Sequence, residues 1–243
     1  MRFGTVIFDC DSTLCALEGI DELAGERKAA VAELTDRAMR GEIPLEDAYG
    51  SRLALIRPKR ADVESLAARY IAELIPDAAA TILALRSEGI DVRILTAGLL
   101  PAIRLLAEHL GIAAGNVAAV DIQFNSAGEY DRFDDRSPLA RSGGKATVVR
   151  QWLPRLPRPI MMVGDGVTDL EVKPLVDLFV AFAGVVERDA VVRNANRVIR
   201  ARSLAPVLAI AVGDEPPRDP KNLELLQRGR DMLAADPLNS STP

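Results

Sequence analysis

Histidine occurs once and cysteine twice in this sequence, aromatic residues make up only 4%, and no basic stripe or long apolar run is present. Each shortage narrows the possible chemistry. With His109 alone, inside the helical pattern Ile103 to Leu110, no histidine-based triad can be assembled. That residue reads as a surface or half-buried helix position. Cys10 and Cys15 stand too close together for a useful structural staple, so they read as reduced thiols filling apolar space in a cytoplasmic protein. A formal charge of −5 without a lysine and arginine stripe argues against a nucleic-acid partner. No apolar stretch approaches the roughly 20 residues of a membrane-spanning helix, so no membrane partner is expected. Met1 runs almost directly into a strand-like segment, so no leader is expected either. Internal repeats and low-complexity tracts are also missing.

What is present is an ordinary globular composition, 49% hydrophobic and 27% charged, over 243 residues. The run Thr5-Val6-Ile7-Phe8 ends in acidic residues and predicts a buried parallel strand. Similar runs follow at Asp91 to Thr96, Pro159 to Gly164 and Asp177 to Phe182, with helical patterns such as Ala78 to Glu88 and Ala146 to Leu153 before them. Strand alternating with helix predicts an α/β fold with a parallel, doubly wound sheet covered on both faces. A further strand is expected over Val117 to Phe124, continuing through a glycine-containing turn into Glu129 to Phe133 as a hairpin. Between Cys15 and Pro76 only helical stretches occur: Gly25 to Arg40, Pro44 to Ile56 and Arg60 to Leu74, with Asp62 placed to cap a first turn. The expected organisation is therefore a core of residues 1–14 and 77–212, a small helical domain of residues 15–76 inserted after the first strand, and a C-terminal helix and tail of residues 213–243. An insert at that point lies over the sheet edge where open α/β sheets bind ligands.

The chemistry-bearing residues cluster at predicted strand ends. Asp9 and Asp11 are two apart in extended chain, so both carboxylates reach one side while Cys10 faces elsewhere. Two like charges that close are costly unless a cation or a shared proton offsets them. Ser142-Gly143-Gly144-Lys145 precedes a helical run, where glycines admit an anion and Lys145 supplies a full positive charge. In Gly164-Asp165-Gly166-Val167-Thr168-Asp169, Asp165 ends a strand and Asp169 lies one helical turn further on. Four acids on one sheet edge make a hard, oxygen-rich cluster suited to magnesium. Phosphoryl transfer needs a nucleophile, an acid and positive charge around the equatorial oxygens. Without a triad, a carboxylate nucleophile is the consistent choice: Asp9 attacks, and Asp11 protonates the leaving alcohol, then takes a proton from water. Mg2+ would be held by Asp9, Asp165 and the Asp11 main-chain carbonyl, with Lys145 neutralising the remaining charge.

These segments resemble the haloacid dehalogenase superfamily. Its first motif is similar to Phe8-Asp9-Cys10-Asp11-Ser12-Thr13-Leu14, its lysine motif to Ser142-Gly143-Gly144-Lys145, and its last acidic motif to Gly164-Asp165-Gly166-Val167-Thr168-Asp169. The likeness runs to about Arg200 and implies a Rossmann-like core with a helical cap. Within the superfamily, Glu18-Gly19-Ile20-Asp21-Glu22-Leu23, Arg37-Ala38-Met39 with Gly41, and Arg52-Leu53-Ala54-Leu55-Ile56 resemble the cap of the phosphoserine phosphatase family. That resemblance implies Mg2+-dependent hydrolysis of O-phosphoserine, in serine biosynthesis, through an aspartyl-phosphate. It also implies that Glu18 meets the substrate ammonium and Arg52 grips its carboxylate, with Met39, Thr96, Ala97, Gly98 and Thr168 completing the substrate contacts and Asp169 supporting the metal ligands. The chain departs from the family at Thr96-Ala97-Gly98, where Ser-Gly-Gly is usual, and at Leu99, where an aromatic residue is common. Alternative readings are another small phosphorylated metabolite as substrate, transfer to an acceptor alcohol in place of water, and a receiver-like signalling domain. The helical insert and Asp11 argue against the last.

Overall fold

The computed structural model describes residues 2–39 and 43–236. Eight strands occur among them: β1 (Thr5–Phe8), β2 (Asp91–Leu99), β3 (Val117–Val120), β4 (Ile122–Phe124), β5 (Tyr130–Phe133), β6 (Ile160–Gly164), β7 (Leu178–Phe182) and β8 (Arg197–Ile199). Six form one parallel sheet in the order β3-β2-β1-β6-β7-β8. β1 and β6 are buried at every residue, so both faces of the sheet are covered. The chain moves outward from β1 through β2 to β3, then returns to the other side of β1 with β6. That reversal places the topological switch point beside β1, and ligands of open α/β sheets bind at the carboxyl ends of the strands there. Residues 9 and 165 follow directly on β1 and β6.

The expected strand over Val117 to Phe124 is two strands. Asp121 separates β3, which pairs with β2, from β4, which pairs antiparallel with β5 in a small second sheet. A continuous apolar run does not reveal a change of partner, because either half can pair alone. The hairpin turn itself is as expected, with the Asn125 side chain accepting from the Ala127 and Glu129 N–H groups.

The inserted helices are Lys28–Met39, Leu45–Ile56 and Arg60–Ala72, the last begun by an Asp62 carboxylate that accepts from the Lys59 N–H at 3.0 Å. Gly41 lies outside the described residues. The two ends of the insert are joined side by side: Cys15 bridges Leu74, the Ala16 N–H donates to the Glu73 carbonyl, and the Ile75 N–H to the Leu14 carbonyl. Both cysteines are buried free thiols.

Beyond β7 the helix Asp189–Asn194, strand β8 and the wholly buried helix Ala205–Val212 were not expected from the sequence pattern. Eight apolar residues without period carry no face signal, because burial on all sides removes the alternation that marks a helix. The helix Leu223–Ala235 packs on Ala205–Val212 at Gly229, where an added Cβ would lie 2.3 Å from the Ala205 carbonyl oxygen. No helix among the described residues is long and apolar enough to cross a membrane.

Candidate active site

Asp9, Lys145, Asp165 and Asp169 are buried and share one site at the end of β1 and β6. Lys145 Nζ donates to Asp9 Oδ1 and to Asp169 Oδ1, each at 2.6 Å. The ammonium reaches them from the first turn of the helix Gly144–Trp152. Gly144 is required there, since a Cβ would lie 1.8 Å from the Pro138 carbonyl oxygen. Burial alone would lower the Lys145 pKa, but the two carboxylates outweigh it and hold the side chain protonated. Asp169 is fixed from its other oxygen by the Gly166 N–H at 2.9 Å, and Gly164 leaves room for its carboxylate. Thr13 Oγ1 donates to Asp165 Oδ1 at 3.1 Å.

Each of Asp9, Asp165 and Asp169 offers a carboxylate oxygen, and these lie within 4.8 Å of one another. The cluster is short of positive charge. Burial and the neighbouring Asp9 push the Asp169 carboxyl up to about 7 even against its Lys145 bond. A small divalent cation fits this set, because hard oxygen donors suit it and its charge would offset the crowding. Asp169, expected only in a supporting position, contributes an oxygen to the cluster and also carries Lys145. The Asp11 carboxylate is turned elsewhere.

Asp11 Oδ1 accepts from the Tyr70 hydroxyl at 2.7 Å and the Gly19 N–H at 2.9 Å. Burial, followed by the charges of Glu18 and Asp9, raises its pKa to about 7, against the pull of those two hydrogen bonds. A carboxyl poised there can hold a proton near neutrality and release it in a reaction. The intervening turn is tight: Ser12 adopts φ +53° and its hydroxyl donates to Glu18 Oε1 at 2.8 Å.

Glu18 flanks the short helix Gly19–Glu22, and Asp21 on that helix binds Arg52 Nη2 at 2.6 Å. Arg52 Nε is buried without a hydrogen-bond partner among the described residues. Thr96, Ala97 and Gly98 all lie within β2, which runs three residues beyond the predicted Thr96 to Leu99. Thr96 Oγ1 accepts from the Gly98 N–H at 3.0 Å, and the Ala97 carbonyl accepts from the Tyr49 hydroxyl at 2.9 Å. Ala97 sits in extended backbone, so its methyl introduces no strain at the departure from Ser-Gly-Gly. Thr168 is half-buried on the turn Val167–Leu170 above Asp165, and Met39 ends the helix Lys28–Met39, its side chain outside the described ones.

Arg188 and Tyr70 were missed by the sequence reading. Arg188 follows β7 and pairs with the Asp165 carboxylate, with its Nη2 3.9 Å from Glu18 Oε1. Tyr70 comes from the inserted helix Arg60–Ala72. Only the position of Arg188 past a parallel strand end hinted at the first, and nothing local marked the second.

Residues 3–172 match the family model described as haloacid dehalogenase-like hydrolase. The chain is 42% identical over 200 residues to the chloroplastic phosphoserine phosphatase of Arabidopsis thaliana, covering 80% of this chain and 68% of that protein. It is 39% identical over 194 residues to the phosphoserine phosphatase of Homo sapiens, covering 79% and 86%. Among solved structures, a phosphoserine phosphohydrolase-like protein from Francisella tularensis aligns with a TM-score of 0.72 at 25% identity, over 82% of this chain and 95% of that one. A catalytic geometry at the switch point, a family match over most of the chain and relatives this similar place the protein among the haloacid dehalogenase-like hydrolases, in the phosphoserine phosphatase family.

Proposed function

We propose that this protein is a Mg2+-dependent phosphoserine phosphatase, hydrolysing O-phosphoserine to serine and phosphate in serine biosynthesis. The observation that carries the reading is the convergence of Asp9, Lys145, Asp165 and Asp169 at one sheet edge, with the Asp11 carboxyl held close by on Tyr70 and Gly19, in a chain about 40% identical to phosphoserine phosphatases. Asp9 is the nucleophile, and its carboxylate, oriented by Lys145, attacks phosphorus to form an aspartyl-phosphate. Asp11 gives its proton to the serine oxygen as the ester bond breaks. It then accepts a proton from the water that hydrolyses the acyl-phosphate. Lys145 stabilises the negative charge gathered between nucleophile and phosphoryl oxygens. Asp9, Asp165 and the Asp11 carbonyl would hold Mg2+, with Asp169 supporting them, and the ion would supply the charge that lets an anionic nucleophile meet an anionic phosphate.

Residues 15–76 act as a helical cap over a core of residues 1–14 and 77–212. The joined strands of chain at Cys15 and Leu74 support that division. Glu18 receives the substrate ammonium and Arg52 its carboxylate. Support comes from their arrangement: through Asp21, Arg52 is anchored to the same short helix that Glu18 flanks. The unpartnered Arg52 Nε provides a donor for an incoming carboxylate. Met39, Thr96, Ala97, Gly98 and Thr168 complete the pocket. The two free thiols fit a reducing, cytoplasmic setting.

Steady-state kinetics over phosphorylated amino acids, sugars and glycerates, with and without Mg2+, test the reading. O-phosphoserine should exceed the other substrates by roughly 100-fold or more in kcat/KM, with serine and phosphate released together. A phosphosugar ranking first would overturn the substrate assignment. Asp9→Asn should abolish turnover, and full activity in that variant would rule out covalent catalysis by Asp9.

A further inference from the structure

The two oxygens of the Asp11 carboxyl have different surroundings. Oδ1 receives two donors, the Tyr70 hydroxyl and the Gly19 N–H. A proton on that oxygen would face two hydrogens already directed at it, so protonation is favoured on Oδ2. Tyr70 is fully buried in the inserted helix Arg60–Ala72, far in sequence from the acid it touches. The contact depends on a missing side chain. A Cβ at Gly19 would lie 1.9 Å from Tyr70 Oη and 3.4 Å from Asp11 Oδ1.

We propose that Tyr70 is a positioning residue for the acid step: with Gly19 it pins Asp11 Oδ1, so that Oδ2 carries the proton and presents it to the leaving oxygen. This rests on the assignment of Asp11 as the acid. In the step, a bond forms between Asp9 and phosphorus, and the bond from phosphorus to the serine oxygen breaks with its electron pair left on oxygen. The Asp11 Oδ2 proton moves to that oxygen, leaving Asp11 a carboxylate. The cap thereby contributes to the chemistry of the core as well as to substrate recognition.

A leaving-group comparison tests this. The serine alkoxide needs a proton to depart, whereas p-nitrophenolate does not. In Tyr70→Phe, kcat/KM for O-phosphoserine should fall about 10-fold, and that for p-nitrophenyl phosphate by less than about 2-fold. Asp11→Asn, measured on the same pair, should show a larger asymmetry of the same sign. If Asp11→Asn loses equally on both esters, the acid assignment itself fails. If Asp11→Asn is asymmetric but Tyr70→Phe loses equally on both, or on neither, Tyr70 does not position the acid. Gly19→Ala displaces the hydroxyl while keeping the ring, and should reproduce the Tyr70→Phe asymmetry. Should Tyr70→Phe not fold, the same criteria applied to Gly19→Ala decide the matter.

Discussion

Lys145 is held between Asp9 and Asp169 at 2.6 Å from each, an arrangement that fixes the orientation of the nucleophile. Removing the ammonium would strand two buried carboxylates against each other. Lys145→Met should therefore lower kcat by at least roughly 1000-fold, as measured in single-turnover assays. Arg52 is a different case, because its guanidinium serves recognition. Arg52→Ala should reduce kcat/KM for O-phosphoserine about 100-fold, mostly through KM, and that for p-nitrophenyl phosphate by less than about 3-fold. Equal losses would make Arg52 structural. At this scale the sequence was informative wherever partners are neighbours along a strand or turn. Asp9, Asp165 and Asp169 gather because each follows the end of a neighbouring parallel strand, whereas Asp11 lies past the end of β1, where the two-residue alternation no longer holds, and its carboxylate turns to Tyr70 and Gly19. Arg188 and Tyr70 reach the site across long sequence separations, which no local period encodes.

Among the elements, the C-terminal pair of helices shows most clearly what packing adds. Gly229 lets Leu223–Ala235 lie directly on the backbone of Ala205–Val212. An added methyl has no space against a main-chain carbonyl, so Gly229→Ala should destabilise the protein by about 2 kcal/mol or more, despite alanine's better helix propensity. Urea unfolding would measure it, and an unchanged midpoint would contradict the packing argument. The helix at Ala205–Val212 was illegible beforehand because it is apolar on every side. The inserted helices were legible because they retain a polar face and starting signals such as Asp62.

Across the whole molecule, Glu88 ties the beginning of the chain to its end. Its carboxylate is fully buried and accepts from Arg2, from the Arg218 and Asp219 N–H groups and from Asn222. Burial would raise its pKa, but these donors outweigh burial and hold it at about 2. A carboxylate depressed in the folded state stabilises fully above its unfolded pKa, near 4.5, and loses that contribution as pH falls toward 2. Glu88→Gln should therefore cost roughly 1 to 3 kcal/mol at pH 7 and progressively less below pH 4, as read from unfolding midpoints across pH. A gap independent of pH would show that ionisation of Glu88 is not involved. The carboxylate cluster has a global signature too. Millimolar Mg2+ should raise the melting temperature by a few degrees, because a ligand bound only to the folded state stabilises it. That shift should vanish in Asp165→Asn.

By itself the sequence determined the α/β alternation, the helical block after the first strand and the set of acids with Lys145. Each is a pattern of neighbours, read from backbone period and residue chemistry. The tertiary structure alone decided which strands flank β1, that Asp121 divides one apolar run between two sheets, and that Tyr70 and Arg188 stand beside Asp11 and Asp165. Those outcomes depend on contacts between distant segments, whose free energy exists only once the chain has closed on itself.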